Sequence, residues 1–128
     1  MSKIVEFLHE CKVFYLATVD EDQAQVRPIN SVMEYHGKIY FETSNKKKMY
    51  QQMLKRPKVA ISGMAESEWI RITGKVVVDD REELKDAMFE AMPALKNVYT
   101  REELIVYYLE DMDAKLCGFG TQPVSLED

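Results

Sequence analysis

The chain has 128 residues, of which 17 are Lys or Arg and 22 are Asp or Glu, so its formal net charge is −5. This is the length of one domain, and a composition that is 46% hydrophobic and 30% charged can form a core. The acidic balance argues against general nucleic-acid binding. No apolar run approaches the roughly 18 residues that a membrane-spanning helix needs. We therefore expect a single domain over residues 1–128.

The N-terminus, the cysteines and the histidines bear on the compartment and on metal binding. Met1–Glu10 lacks the apolar segment of a secretory signal. Cys11 and Cys117 form no CxxC pair, so neither a disulfide framework nor a zinc ribbon is indicated, and we interpret both as packing residues. His9 and His36 have no Cys or His neighbour at ligand spacing. These features predict a cytoplasmic protein without a metal site.

Hydrophobic periodicity divides the chain into short strands and a few helices. In chain order the pattern predicts a helix capped by Ser2, strands over Val13–Val19, Val26–Tyr35 and Lys38–Thr43, a helix over Asn45–Arg56, strands over Val59–Ala65 and Trp69–Val78, a helix capped by Asp79 or Asp80, and strands over Ile105–Leu109 and Lys115–Phe119. Thr100 and Glu103 have capping-box spacing, but the residues that follow favour a strand. Because short turns favour antiparallel pairing, we predict a mainly β fold, an antiparallel barrel with peripheral helices.

A cationic segment stands out in this acidic chain. Six basic residues and no acidic residue lie between Lys46 and Lys58. Just before them, Thr43-Ser44-Asn45 ends a predicted strand and begins a predicted helix. Free backbone N–H groups, hydroxyl groups and lysine side chains would converge at this helix start, which is the chemistry of a phosphate site. A solvated lysine face with Asn45 as an ordinary helix cap is the alternative.

A second feature is the segment Arg27-Pro28-Ile29-Asn30 inside a predicted strand. Proline lacks the N–H that a sheet ladder needs, so Pro28 marks an edge or a bulge. Strand alternation points Arg27 to the same side as Ile29 and Ser31. Beside a phosphate site such a strand could lie along a planar ligand, with Arg27 reaching the ring or the phosphate. An arginine that is solvated, or paired with an acidic residue, is the alternative.

Taken in order, these segments resemble the pyridoxamine 5'-phosphate oxidase-like, FMN-binding split-barrel superfamily. The resemblance rests on Phe14-Tyr15-Leu16-Ala17-Thr18-Val19, Gln25-Val26-Arg27-Pro28-Ile29, Ile39-Tyr40-Phe41-Glu42-Thr43-Ser44, Lys48 through Ala60, and Trp69-Ile70-Arg71-Ile72-Thr73-Gly74-Lys75. The chain is most similar to the small members, which include proteins like the nitroimidazole-resistance reductases.

The resemblance implies a split β-barrel homodimer with FMN at the subunit interface. One strand would run beside the isoalloxazine ring, largely through main-chain atoms, and a strand end and helix start would hold the phosphate. The implied cofactor-binding residues are Arg27, Pro28, Ile29, Asn30, Phe41, Thr43, Ser44, Asn45, Lys47, Lys48 and Trp69. Lys46-Lys47-Lys48 departs from the Ser-Arg-Lys triplet of the vitamin-synthesising oxidases, so the phosphate lysine stays open, with Lys48 the first choice. Trp69, where those oxidases have a glutamine, either packs on the flavin or fills the barrel end.

The resulting hypothesis is a flavin-dependent reductase of a small, aromatic or nitro, electron acceptor. The flavin would carry the chemistry, so no catalytic acid or base is named. The chain ends at Thr121–Asp128 without the segment with which the oxidases bind pyridoxal phosphate, so true pyridoxamine phosphate oxidase activity is not expected. Two alternatives remain: a non-catalytic flavin or haem carrier, and a nucleic-acid binder acting through Lys46–Lys58.

Overall fold

The computed structural model describes residues 2–126, which form one curved antiparallel sheet with peripheral helices. The helices are α1 (Lys3–Cys11), α2 (Lys48–Lys55) and α3 (Glu82–Ala91), the last followed by a 3-10 helix (Pro93–Asn97). The strands are β1 (Phe14–Asp20), β2 (Gln23–Ile29), β3 (Val32–Tyr35), β4 (Lys38–Ser44), β5 (Lys58–Ala65), β6 (Glu68–Val78), β7 (Leu104–Gly118) and β8 (Val124–Ser125). The predicted mainly β fold with peripheral helices is confirmed. The single domain over residues 1–128 stays a prediction, and Met1, Glu127 and Asp128 lie outside the described residues.

The order of the strands explains the shape of the sheet. The hydrogen-bonded path is β2-β1-β5-β6-β7-β4-β3, with β8 paired to β7. Its two end strands, β2 and β3, are separated in sequence only by Asn30 and Ser31. The sheet must therefore curve until its edges approach each other at this link, although the path of hydrogen bonds does not close there. This is a split barrel whose seam lies at Asn30 and Ser31.

Two buried clusters lie on opposite faces of the sheet. The larger fills the barrel and includes Leu8, Phe14, Leu16, Phe41, Met53, Ile61, Ile70, Ile72 and Tyr107. The smaller lies against α3 and includes Met33, Tyr40, Leu84, Met88, Leu104 and Val106. Because successive strand residues face opposite sides, Tyr40 and Phe41 belong to different clusters. The strand alternation thus separates an inner face, inside the barrel, from an outer face.

The prediction of one strand over Val26–Tyr35 is wrong. The run is two strands, because β2 pairs with β1 whereas β3 pairs with β4 at the other end of the sheet. Pro28 does not interrupt β2, where it lies in register with Tyr15. This is possible because β2 is an edge strand, in which a proline can face away from the ladder.

The prediction of separate strands over Ile105–Leu109 and Lys115–Phe119 is also wrong. Both belong to β7, a 15-residue strand that pairs with β6 along most of its length, and Phe119 follows its end. The strand is irregular in the middle, where Asp111 has a φ of 55° and the register with β6 shifts between Thr73 and Lys75. The polar residues in the middle of β7 therefore mark an exposed irregularity within one strand.

The predicted helix over Asn45–Arg56 begins later, at Lys48. Asn45 is held by the segment before β7: its N–H donates to the Glu103 carbonyl at 2.9 Å, and its Nδ2 donates to the Glu102 carbonyl at 3.0 Å. These bonds hold Asn45 against the segment before β7, so Asn45 is not part of the helix.

Of two other helix signals, the cap of α3 differs from the prediction, whereas the capping box leads into a strand as predicted. Arg81 is the N-cap of α3, because the Asp79 carboxylate accepts a bond from the Arg81 N–H and so closes the preceding turn. The capping box of Thr100 and Glu103 has both of its reciprocal bonds, but they close a turn that leads into β7. The first helix signal is confirmed, since Ser2 Oγ accepts from the N–H of Val5 at 3.1 Å. Among residues 2–126 no helix has the length and apolar character of a membrane span.

The closest approach of β5 to the end of α1 predicts a stability effect. A Cβ atom on Gly63 would lie 2.9 Å from Cβ of Phe14 and 3.0 Å from Sγ of Cys11. Phe14 is fully buried and has no room to move. We therefore expect Gly63→Ala to lower the free energy of unfolding by about 1–3 kcal/mol, measured by chemical denaturation. Ser62→Ala, at the exposed neighbouring position, should change it by less than about 0.5 kcal/mol. Equal values for the two variants would contradict this packing.

Candidate functional site

The N-terminus of α2 carries no side-chain cap. β4 leads into the helix through a tight turn in which the Lys46 N–H donates to Ser44 Oγ and the Lys47 N–H donates to the Ser44 carbonyl, both at 3.1 Å. Lys47 is the N-cap and its side chain makes no capping bond. The first N–H groups of a helix have no partner within the helix and form the positive end of its dipole. The start of α2 can therefore accept an anion.

Buried polar atoms lie directly before this helix. Thr43 and Ser44 are 0% and 1% exposed. Within residues 2–126, Thr43 Oγ1 and Asn45 Oδ1 are buried without a hydrogen-bond partner. Buried polar atoms almost always have one, so an unpaired hydroxyl and an unpaired amide oxygen at one strand end indicate a missing polar partner.

Arg27 reaches inward from β2 and joins three elements. Its Nη1 donates to Thr18 Oγ1 at 2.7 Å and to the Leu16 carbonyl at 3.3 Å, and its Nη2 donates to Gln52 Oε1 at 3.0 Å. Leu16 and Thr18 belong to β1, and Gln52 belongs to α2. The predicted orientation on the side of Ile29 agrees with burial, since both residues are half-buried whereas Pro28 is exposed.

The charge of Arg27 has no acidic partner in the described part of the chain. All three of its bonds go to neutral oxygen atoms, so it is not paired with an acid, and it is half-buried. Partial burial lowers the pKa of its guanidinium, with a smaller opposite effect from the Tyr107 hydroxyl. A half-buried cation without a counter-charge attracts an anion more strongly than an exposed one, because less water screens it.

Among residues 2–126, Tyr107 and Glu42 each carry a buried oxygen atom without a hydrogen-bond partner. The Tyr107 hydroxyl is buried without a partner, and burial raises its pKa. Burial also raises the pKa of Glu42, while the positive charge of Lys47 and a bond from Ser31 act in the opposite direction. One carboxylate oxygen of Glu42 is unpartnered within residues 2–126. Strands β4 and β7 therefore carry buried polar oxygens on both Glu42 and Tyr107, beside an otherwise apolar core.

The three consecutive lysines have different surroundings. Hydrogen bonds from Thr100 lower the pKa of Glu103, and the charge of Lys46 adds to this effect, so Lys46 lies near an acid. Lys47 lies with Nζ 5.3 Å from the centre of the Tyr99 ring and within range of the Glu42 carboxylate. Lys48 begins α2 and has no hydrogen-bond or ion-pair partner among residues 2–126. Of the three, Lys48 is the lysine whose charge is free.

The strand that was expected to lie along a ring is the edge strand β2. Pro28 and Asn30 are exposed, whereas Ile29 is half-buried against the barrel core. In the described sheet β2 has a neighbour on one side only. Its other side presents main-chain N–H and C=O groups that can bind a ligand.

Phe41 and Trp69 lie on opposite faces of the sheet. Phe41 is 1% exposed and stacks on Tyr107 inside the barrel, with ring centres 5.7 Å apart, so its side chain is a core residue. Trp69 is half-buried on the outer face, where its ring centre is 4.9 Å from that of Phe119. Arg27 points to the inner face. The structure therefore brings Arg27 to β1 and α2, whereas Trp69 lies on the opposite face of the sheet.

Sequence reasoning missed Thr18 and Gln52, although each left a signal. Thr18 is a polar residue on the inward side of β1, after Phe14 and Leu16, and it is 1% exposed. Gln52 lies four residues after Lys48, on the same face of α2. A polar residue at an inward strand position and a glutamine one helical turn from the candidate lysine could have indicated both.

The cysteines and histidines have ordinary surroundings. Cys117 is buried as expected, whereas Cys11 is half-buried, and burial raises the pKa of its thiol. A ring nitrogen of His9 lies 3.2 Å from the Val32 carbonyl, and His36 is exposed in the turn before β4. Over residues 2–126, no three His, Cys, Asp or Glu side chains are grouped as metal ligands.

Comparison with solved structures shows several relatives. A NimC/NimA family protein from Clostridium acetobutylicum is 44% identical, with a TM-score of 0.91, and the match covers 97% of this chain and 89% of that one. General stress protein 26 from Bacillus anthracis is 16% identical, with a TM-score of 0.73 and coverages of 97% and 96%. A haem storage protein from Vibrio cholerae is 15% identical, with a TM-score of 0.66 and coverages of 84% and 87%. The last two show the shared fold alone.

Sequence comparison identifies the family directly. The family described as pyridoxamine 5'-phosphate oxidase matches residues 1–106 of the chain. No curated protein sequence gave a significant match. The family match and the 44% identity over nearly the whole chain lead to the same conclusion. The chain belongs to the pyridoxamine 5'-phosphate oxidase-like family.

Proposed function

We propose that the protein binds FMN and acts as a flavin-dependent reductase. The observation that carries this proposal is the half-buried Arg27 guanidinium, which is bonded only to neutral oxygens. The Arg27 side chain is hydrogen-bonded to Gln52 of α2. The same helix begins with the unpaired Lys48. Two free cations and an uncapped helix start are suited to a phosphate carrying about two negative charges. The flavin phosphate is the anion that this family of proteins suggests.

The remaining site residues fit the other parts of FMN. The unpaired Thr43 hydroxyl and the Asn45 amide oxygen are available to the phosphate or to the ribityl chain. The open edge of β2 at Pro28 and Asn30 offers main-chain groups to the polar edge of the isoalloxazine ring. Trp69 lies on the outer face and Phe41 lies in the core, so this arrangement uses neither side chain of the same protomer to hold the phosphate.

We further propose a homodimer formed through the outer face of the sheet. This face exposes Tyr15 by 50%, Val26 by 68%, Met64 by 49% and Phe119 by 74%. It also contains two open cavities of about 450 and 360 Å³, lined in part by Ala17, Ala60, Met64 and Trp69. Exposed apolar surface of this kind marks an interaction site. A second copy would cover it and could bring its own Trp69 to a flavin lying on β2.

When bound, FMN would supply the redox chemistry, accepting electrons from a donor and passing them to an acceptor. The chain would bind the flavin, exclude water and shape the cavity over its ring. The 44% identity to a NimC/NimA family protein favours a small nitroaromatic acceptor. The unpaired cysteines Cys11 and Cys117 are consistent with a cytoplasmic protein.

A non-catalytic flavin or haem carrier is the second candidate. It is favoured by the shared fold with the haem storage protein from Vibrio cholerae. The absorption spectrum of the purified protein separates the two cofactors, since haem gives an intense band near the violet and flavin absorbs in the blue. Reduction of a nitroaromatic compound by the flavin-loaded protein then separates a reductase from a carrier.

The lysine surroundings predict which residue holds the phosphate. Lys48→Ala should weaken FMN binding by about tenfold or more, because a charge-assisted contact contributes roughly 1.5–3 kcal/mol. Riboflavin, which has no phosphate, should bind wild type and variant alike. Titration of flavin fluorescence measures both affinities.

Lys47→Ala is the matched control, since Lys47 already faces Glu42 and Tyr99. We expect it to change FMN affinity less than about threefold. A large loss in Lys47→Ala with none in Lys48→Ala would assign the phosphate to Lys47. Equal affinity of the wild-type protein for FMN and riboflavin would refute a phosphate site altogether.

The exposed outer face predicts how the dimer can be broken. Met64→Lys places a charge among Tyr15, Trp69 and Phe119 and should weaken self-association by at least about tenfold, because a buried unpaired charge is costly. Val98→Lys is the control: Val98 is 65% exposed, follows the 3-10 helix and should leave association unchanged. Sedimentation at micromolar concentration measures both. A wild-type monomer that still binds FMN tightly would contradict the proposed interface.

A further inference from the structure

We propose that Gln52 is a positioning residue, which together with Thr18 holds the Arg27 guanidinium through uncharged oxygens and so keeps its positive charge for the phosphate of the ligand. The inference rests on the proposed function, because it takes the flavin phosphate as the anion. It goes beyond that proposal by giving a role to two residues outside the predicted site.

The geometry is a closed ring of hydrogen bonds. Arg27 Nη1 donates to Thr18 Oγ1 at 2.7 Å, Thr18 Oγ1 donates to Gln52 Oε1 at 2.8 Å, and Arg27 Nη2 donates to the same Oε1 at 3.0 Å. Two donors point at one amide atom, which must therefore be the oxygen, since a nitrogen there would face them with its own hydrogens. The three side chains fix one another. An amide flipped by half a turn would place its nitrogen against both donors and break the ring.

The bonds of Arg27 leave part of its hydrogen-bonding capacity free. An arginine has five N–H groups. Three are used, by Leu16, Thr18 and Gln52. The remaining ones can be offered to a ligand while the guanidinium stays in place. A fixed cation loses less conformational freedom on binding than an exposed, mobile one.

The amide at position 52 matters because a carboxylate of the same shape would fit equally well. Glutamate would accept the same two bonds, but it would cancel the charge of Arg27 within the protein. In residues 2–126 Arg27 has no ion pair. Glutamine therefore holds the cation without neutralising it. Gln52 also lies one turn from Lys48, so the same bond fixes the start of α2 relative to β2.

The test introduces a negative charge at position 52 while keeping the shape of the side chain. In the full-length, flavin-free protein, Gln52→Glu should weaken FMN binding by at least about tenfold and leave riboflavin binding within about twofold, since an ion pair would replace the free cation. Gln23→Glu is the control: it makes the same change in net charge at an exposed position of β2. It should leave both affinities within about twofold. Titration of flavin fluorescence measures all of them.

A second measurement needs no flavin. Because Gln52→Glu forms a partly buried ion pair with Arg27, it should raise the melting temperature by about 2–5 °C, whereas Gln23→Glu should not. A structural lesion at position 52 would lower the melting temperature instead. Weaker FMN binding by a more stable protein is thus the expected combination, and weaker binding by a less stable protein overturns the proposal.

Gln52→Met keeps the length of the side chain but removes the oxygen and adds no charge. It should weaken FMN binding by about threefold or more without raising the melting temperature, because Arg27 loses an anchor. Unchanged FMN affinity in this variant overturns the positioning role even if Gln52→Glu does not fold. If wild type prefers FMN to riboflavin and Gln52→Glu keeps that preference, the inference fails. If wild type shows no preference, the phosphate assignment itself fails.

Discussion

Arg27 joins the consecutive strands β1 and β2 to the helix α2, whose Gln52 lies 25 residues further along the chain. A half-buried guanidinium loses part of its hydration, and this loss is only partly offset by bonds to neutral oxygens. The half-buried guanidinium therefore has a lower free energy when an anion is bound beside it than when no anion is bound. Such a difference between the two states is what a binding site for a charged group requires. The apolar barrel provides the low dielectric in which the charge is effective.

The topology explains why the site forms at this place. The sheet is split between β2 and β3, so β2 keeps an open edge while its sequence neighbour β3 begins the far side of the sheet. β4 pairs with β3, and α2 follows β4 directly and packs back against β1. The curvature imposed by the link at Asn30 and Ser31 thus brings a strand edge and a helix start together. The same seam in a flat sheet would leave them at opposite ends.

The sequence predicted the fold class and several elements because hydrophobic alternation is a local property. It did so for the start of α1, for β1 and for β6. It failed where long-range bonds override local pattern. Val26–Tyr35 reads as one strand, but its halves pair with opposite ends of the sheet. Asn45 reads as a helix cap, but its backbone is bound by Glu103, which lies far along the chain.

The candidate site shows the same limit. The proximity of Lys48 to the end of β4 could be predicted, because it depends on adjacent residues. The bond from Arg27 to Gln52 could not, since it depends on how β1 and α2 pack. The burial of Phe41 in the core could not be predicted from the hydrophobic pattern either. Strand alternation separates two faces, but it does not show which face contacts a ligand. Residues selected by resemblance alone therefore separate, once folded, into a group near Arg27 and an outer group with Trp69.

The charge distribution argues for a small anion over a polymeric one. From Asp79 to Asp113 the chain has eleven acidic and four basic residues, and its net charge is −5. At physiological salt, electrostatic interactions are screened over about 8 Å, so a phosphate in contact with Arg27 and Lys48 is held by these two cations and only weakly repelled by more distant acids. A nucleic acid would extend beyond that distance and meet the acidic surface as well. The fold is shared with a haem storage protein, so the barrel does not by itself select a cofactor. Selection falls to the polar groups around the site, among which Arg27, Lys48 and the Thr43 hydroxyl are suited to a phosphate.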